Sequence, residues 1–241
     1  MIFEDNQTVK TSNFSFSHAN LQTLGGTEYT LVDIHIDVSS SMHPHKSITE
    51  EMLKKVVEWL KSDSNPRKNN LLLRVVFFST DINEFHGYVE LKDINVSDYD
   101  GSVKIGGRTC LVDSIADAAE SQAALGKTMV NDHDYEVNGI QICLTDGGEY
   151  GSTLGYNDLT SKIKVLKGEE DLESFVNVVL HTGQMGDCID KLKNANAVDE
   201  FINFNDFSDA AMGKVVGFVS SQISSQSQML GTGGPSQVLS F

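Results

Sequence analysis

From Tyr29 to Ile36 apolar side chains recur at close spacing around polar ones, and the run ends at Asp37 in three consecutive serines. A near two-residue period of this kind predicts a strand. Ile48, Met52, Val56 and Leu60 then recur every four residues and predict a helix; Ser47-Ile-Thr-Glu50 in front of it reads as a capping box and Asn65-Pro66 stops it. Leu71 to Phe78 is almost continuously apolar, as expected of a strand covered on both faces. Phe85–Leu91 is expected to pair with it as an edge strand. Further on, the pattern predicts a helix over Leu111–Leu125 closed by Gly126, a strand over Gly139–Thr145, and a helical stretch within Asn157–Lys167. Strand Phe175–His181, a short helix around Cys188–Leu192 and a weaker strand over Val198–Phe204 follow. A last helix is expected over Phe207–Ile223, with Ala210, Ala211, Val215 and Phe218 on one face. Alternation of this kind predicts an α/β fold, a doubly wound and mostly parallel central sheet flanked by helices on both faces, over residues 29–223. Residues 1–28, with Phe14 and Phe16 two apart, are expected to form an arm or an extra strand. Residues 224–241, rich in Ser, Gln and Gly, read as a flexible tail whose apolar points (Met229-Leu230, Val238-Leu239, Phe241) suit docking on a partner or a second copy.

Composition narrows the function. The chain has 241 residues, 39% of them apolar, enough for one substantial core. A formal net charge of −16 argues against nucleic acid or an anionic membrane as partner. No apolar run approaches a membrane span, and the opening MIFEDNQTVK carries acids where a secretory signal would be basic, so a cytoplasmic location is expected. Cys110, Cys143 and Cys188 are far apart and lack any C-x-x-C spacing, which suits reduced core cysteines.

Several short motifs fail on inspection. Ser121–Thr128, SQAALGKT, has Ser where a phosphate-binding loop starts with Gly and lies in a helical run instead of after a strand. Residues 96–101, VSDYDG, have Val96 where a calcium loop needs its first acid. No G-x-S-x-G turn exists, and the acids of 132–136 read as a solvated loop.

One constellation survives. Asp37 ends the first strand of the sheet and Asp146 follows the fourth. In a doubly wound sheet those two strands are neighbours where the winding reverses, and a crevice opens beyond their carboxyl ends. Ser39 and Ser41 lie on the loop after Asp37, and Gly106-Gly-Arg-Thr109 brings a further hydroxyl in front of a helix. Two carboxylates and three hydroxyls form a hard, all-oxygen set suited to Mg²⁺, or alternatively Mn²⁺ or Ca²⁺. Two aspartates at most neutralise such an ion, which leaves it able to accept another oxygen. No side chain in the set is placed as a general base, so docking is expected here in preference to catalysis.

Asp37-Val-Ser39-Ser-Ser41, Gly106-Gly-Arg-Thr109 and Thr145-Asp146-Gly147 together resemble the metal-ion-dependent adhesion site of von Willebrand factor A domains, in particular stand-alone prokaryotic or phage members. The resemblance implies a Rossmann-like fold over about residues 29–223. It also implies ligation by Ser39, Ser41 and Thr109, and by Asp37 and Asp146 directly or through water. The implied function is a non-enzymatic adaptor in an intracellular multiprotein assembly, whose protein partner supplies an Asp or Glu to the metal. Two alternatives are a structural or assembly subunit self-associating through its terminal segments, and a metal-dependent hydrolase. This sequence departs from the family pattern at Ser40, often glycine, and at Gly148, which lengthens the turn before Glu149.

Overall fold

The computed structural model describes residues 6–146, 148–168, 172–182, 187–204, 206–229, 239 and 241. In chain order they form β1 (Gln7–Lys10), β2 (Ser15–His18), β3 (Glu28–Asp37), α1 (Lys46–Lys61), β4 (Leu71–Phe78) and β5 (Ile82–Glu90). Then come α2 (Leu111–His133), β6 (Glu136–Thr145), α3 (Tyr156–Gly168), β7 (Phe175–His181), α4 (Cys188–Asn194), β8 (Glu200–Asn203) and α5 (Asp209–Met229). The strands make one sheet in the order β1-β2-β5-β4-β3-β6-β7-β8. From β4 through β3, β6 and β7 to β8 the pairing is parallel; β5 lies antiparallel to β4. β3 and β6 are neighbours, Ile36 opposite Leu144, so the winding reverses between the strands that carry Asp37 and lead to Asp146.

Alternate residues of β3 face opposite layers. Val32, Ile34 and Ile36 enter a core shared with α1 and α5, while Tyr29 and Leu31 enter one shared with α2 and α3. The second face is not wholly apolar. Arg74, fully buried in β4, pairs with Asp117 of α2 at 2.7 Å and with Asp33 of β3 at 3.3 Å. Its Nε donates to Glu84 at 2.7 Å, and Gln122 Nε2 donates to Asp33 at 3.0 Å. The apolar run of β4 thus conceals a charged anchor between sheet and helix.

Five local expectations change. α1 starts at Lys46, one residue before Ser47, so the capping box does not form and the helix instead continues from a 3-10 turn over Ser40–His45. α2 runs through Gly126 and stops at Asp134, whose left-handed φ of 61° takes the closing role. A single glycine does not outweigh the packing of that helix on the sheet. β5 is not an edge strand, because β2 pairs with it through His18 and Tyr88 and β1 extends the sheet further. That approach needs Gly87, where a Cβ would lie 2.0 Å from the Ser17 carbonyl oxygen. On α5 the alanines are not at the core: Ala210 is exposed, and Met212, Val215, Phe218 and Val219 make the buried face. α5 also continues past Ile223 to Met229, so residues 224–229, read as tail, are helix. Gln226 and Ser227 are buried there, and Asn138 Nδ2 donates to the Gln226 carbonyl at 2.7 Å. Of the tail beyond, Leu239 N donates to Gln222 Oε1 at 2.7 Å and Phe241 meets Phe218 edge-on at 5.7 Å; residues 230–238 and 240 lie outside the described residues.

Candidate metal centre

Asp37 is the last residue of β3 and has no solvent exposure. Its Oδ1 accepts the Ser39 backbone N–H at 2.7 Å and its Oδ2 accepts the Thr145 hydroxyl at 2.5 Å. Burial pushes the Asp37 carboxyl up to about 6 against the pull of those hydrogen bonds, and the charge of Asp146 adds to the rise. Ser39 Oγ lies 3.1 Å from Ser41 Oγ, which donates to Asp146 Oδ1 at 2.8 Å. Asp146 follows the end of β6, half-buried, and its carbonyl accepts the Thr182 hydroxyl at 3.2 Å. Four of the five expected residues are therefore joined by one hydrogen-bonded chain across the β3–β6 rim.

Thr109 reaches the same rim through backbone. Gly106 N donates to the Val38 carbonyl at 2.8 Å, and the Gly107 carbonyl accepts both Ser40 N at 3.1 Å and Ser40 Oγ at 3.0 Å. Ser40, in place of glycine, thus fastens the two loops together. Gly107 is required by its φ of 86°, and a Cβ there would sit 2.6 Å from Thr80 Oγ1. Thr109 itself is 4% exposed; among the described residues its hydroxyl makes no hydrogen bond to the other four. Gly147 lies outside the described residues. At the lip, His43 is exposed and His45 stacks on Phe207 with ring centroids 4.0 Å apart, an apolar contact at the foot of α5.

The donors suit a hard divalent cation. A buried carboxylate and a second one are linked through the Ser39 backbone N–H and the Ser39 and Ser41 hydroxyls, and among the described residues no Lys, Arg or His pairs with either. Nor do those residues hold a cluster of three or more His, Cys, Asp or Glu of the kind zinc favours. The expected oxygen set fits the ion by its chemistry.

Two acids escaped the sequence reading. α2 has no cap from its own N-terminal residues; instead Glu149, in the loop after β6, accepts Val112 N at 2.8 Å through Oε2, and Ser152 Oγ accepts Asp113 N at 3.0 Å. Glu149 Oε1 also takes Gly151 N at 2.9 Å and Ser152 N at 2.8 Å. Asp113 returns the contact by accepting Thr153 N and Leu154 N, each at 2.9 Å. The available signal was polar residues at Glu149, Ser152 and Thr153, the side-chain types that cap helices, displaced by some 40 residues from the helix they cap.

No protein-family model matches the sequence, and no curated protein matches it. Solved structures do. Proximal thread matrix protein 1 from the mussel byssus is 18% identical with a TM-score of 0.54, over 82% of this chain and 47% of that one. The ArnB paralog VWA2 from Sulfolobus acidocaldarius is 17% identical with a TM-score of 0.51, over 80% and 44%. This chain has the von Willebrand factor A fold. The PilB minor pilin from Streptococcus sanguinis gives a TM-score of 0.57 at 13% identity, over 87% and 64%. At such identities the likeness is one of fold, and this chain spans less than two thirds of the length of each of those proteins. One structure of the mussel protein has a zinc-occupied adhesion-site motif. Among the described residues no helix is long and apolar enough to cross a membrane.

Proposed function

We propose that this von Willebrand factor A domain is a metal-dependent protein-binding module, with Asp37, Ser39, Ser41, Thr109 and Asp146 holding one divalent ion and a partner's Asp or Glu completing its coordination. The observation that carries this reading is the hydrogen-bonded chain from Asp37 through the Ser39 backbone N–H and the Ser39 and Ser41 hydroxyls to Asp146 at the sheet's winding reversal. The zinc-occupied motif of the mussel protein supports divalent binding, and the hard oxygen donors favour Mg²⁺, with Mn²⁺ or Ca²⁺ as alternatives. Bound there, the ion would supply Lewis acidity toward a carboxylate. The chain's own residues orient the donors, and Ser41 stays exposed at the rim.

Two further features favour docking over turnover. Among the described residues, the five candidate ligands include no group placed as a general base. Tyr150, 73% exposed, stands beside Thr109, whose carbonyl accepts its N–H at 2.9 Å. An exposed aromatic residue tied by its backbone to a candidate ligand is the kind of anchor protein interfaces use. Three buried, unpaired cysteines suit a reducing compartment, in keeping with an adaptor in the cytoplasm. The test is affinity capture from host lysate by wild-type protein and by Thr109→Ala, each with Mg²⁺ and with EDTA. The reading expects a partner that is lost with either change while Thr109→Ala stays folded. Partner capture that survives both changes would refute it.

A further inference from the structure

We infer that Glu149 is a positioning residue for the metal centre, acting through the N-terminus of α2 to fix Thr109; the inference rests on the metal-site reading above. Thr109 is the one expected ligand whose hydroxyl has no hydrogen bond to the others among the described residues, so its place must be set by backbone. Both polar groups of the peptide that joins Thr109 to Cys110 are anchored. Cys110 N donates to the Ser79 carbonyl at 2.8 Å, and the Thr109 carbonyl accepts Tyr150 N at 2.9 Å. Tyr150 is in turn held by its neighbour. The Glu149 carboxylate gathers Gly151 N, Ser152 N and Ser152 Oγ from its own loop and reaches across to Val112 N, three residues after Thr109.

The first N–H groups of a helix lack partners within it, and the Cys110 side chain caps none of those of α2. Glu149 and Ser152 fill that gap, and a carboxylate at a helix N-terminus also meets the positive end of its dipole. Asp113 closes the clasp from the helix side through Thr153 N, Thr153 Oγ1 and Leu154 N. The loop that follows Asp146 is thereby bolted to the helix that follows Thr109. Two metal-site elements far apart in sequence move as one body, and Glu149 is the bolt. A merely structural cap would stabilise α2 wherever Thr109 pointed; a positioning residue must couple to Thr109 in particular.

The test is a double-mutant cycle on Mg²⁺ affinity, measured by calorimetry with the metal alone on full-length wild type, Thr109→Ala, Glu149→Gln and the double variant. Outer partners of metal ligands typically cost about 10- to 100-fold in affinity when removed. Glu149→Gln and Thr109→Ala should each weaken Mg²⁺ roughly tenfold, and the double variant should bind no more weakly than Thr109→Ala. Ser152→Ala, which loosens the clasp without changing charge, should weaken Mg²⁺ in the same direction, and amide exchange at Val112 and Tyr150 should quicken in Glu149→Gln. Additive losses would overturn the inference, since Glu149 would then act by charge or overall stability. So would wild-type affinity in both Glu149→Gln and Ser152→Ala. A wild type that binds no Mg²⁺, Mn²⁺ or Ca²⁺ would remove the metal-site reading itself, and this inference with it.

Discussion

Arg74 is a single charge inside a strand that otherwise reads Leu, Val and Phe, and it has three carboxylates around it. Burial works against its charge, but Asp117 and Asp33 outweigh that and hold its pKa well above the usual value. Removing one member of a buried pair costs about 3–5 kcal/mol, because the remaining charges are left without compensation. Arg74→Met should lose that much in urea denaturation; a loss below about 1 kcal/mol would contradict the buried network. Gly107 offers a second test at this scale. Gly107→Ala places a Cβ against Thr80 with φ at 86°, and such local strain costs on the order of 1–3 kcal/mol. Gly106→Ala, with nothing within 4 Å of the added carbon, is the control and should be near neutral. Equal stability of the two variants would show that the loop does not need its left-handed residue. That Asp37, Ser39, Ser41 and Asp146 meet at one rim was legible in the sequence, because each stands at the end of a strand or on the loop that follows one. Arg74 was not, since nothing in a one-dimensional pattern shows that Asp33 and Asp117 lie across from it.

The strands of the central sheet were legible because period and apolar content decide them directly. Helix ends were less so. Ser47 and Gly126 carry the residue types of a start and a stop, yet α1 inherits its first turn from the preceding 3-10 segment and α2 packs on through its glycine. The end of α5 was hidden for a different reason. Its last two turns bury Ser224, Gln226 and Ser227 instead of apolar side chains, so they read as tail. Gln226 Nε2 donates to Ser174 Oγ at 2.9 Å, and the Gln226 carbonyl accepts Asn138 Nδ2 at 2.7 Å. Deleting residues 224–241 should therefore lower the melting temperature by several degrees. Orphaning a buried amide costs about 1–3 kcal/mol, and each kcal/mol is worth roughly 2–4 °C in a chain of this size. A disordered tail, as the composition of these residues reads, would on removal shift the melting temperature by no more than about a degree or two. An unchanged melting temperature would mean that these helical turns add nothing to the fold.

At the scale of the molecule, the doubly wound order and the neighbouring of β3 and β6 followed from the alternation of elements, and the rim chemistry followed from that neighbouring. The β1–β2 hairpin could be expected only as an arm or an extra strand, because its place depends on the room that Gly87 leaves beside β5. A chain with a net charge of −16 that places two carboxylates on one rim should gain from a bound cation. A metal that binds the folded state alone stabilises it by mass action, by about 2.7 kcal/mol at a hundred times its Kd. Mg²⁺ should therefore raise the melting temperature of wild type and leave that of Asp37→Ala unmoved, whereas an equal rise in both would place the ion elsewhere. The most direct measurement is the Mg²⁺ titration itself, followed by calorimetry on wild type and Asp37→Ala. Wild type should bind one ion per chain and the variant none; equal binding by the two proteins would remove Asp37 from the metal centre.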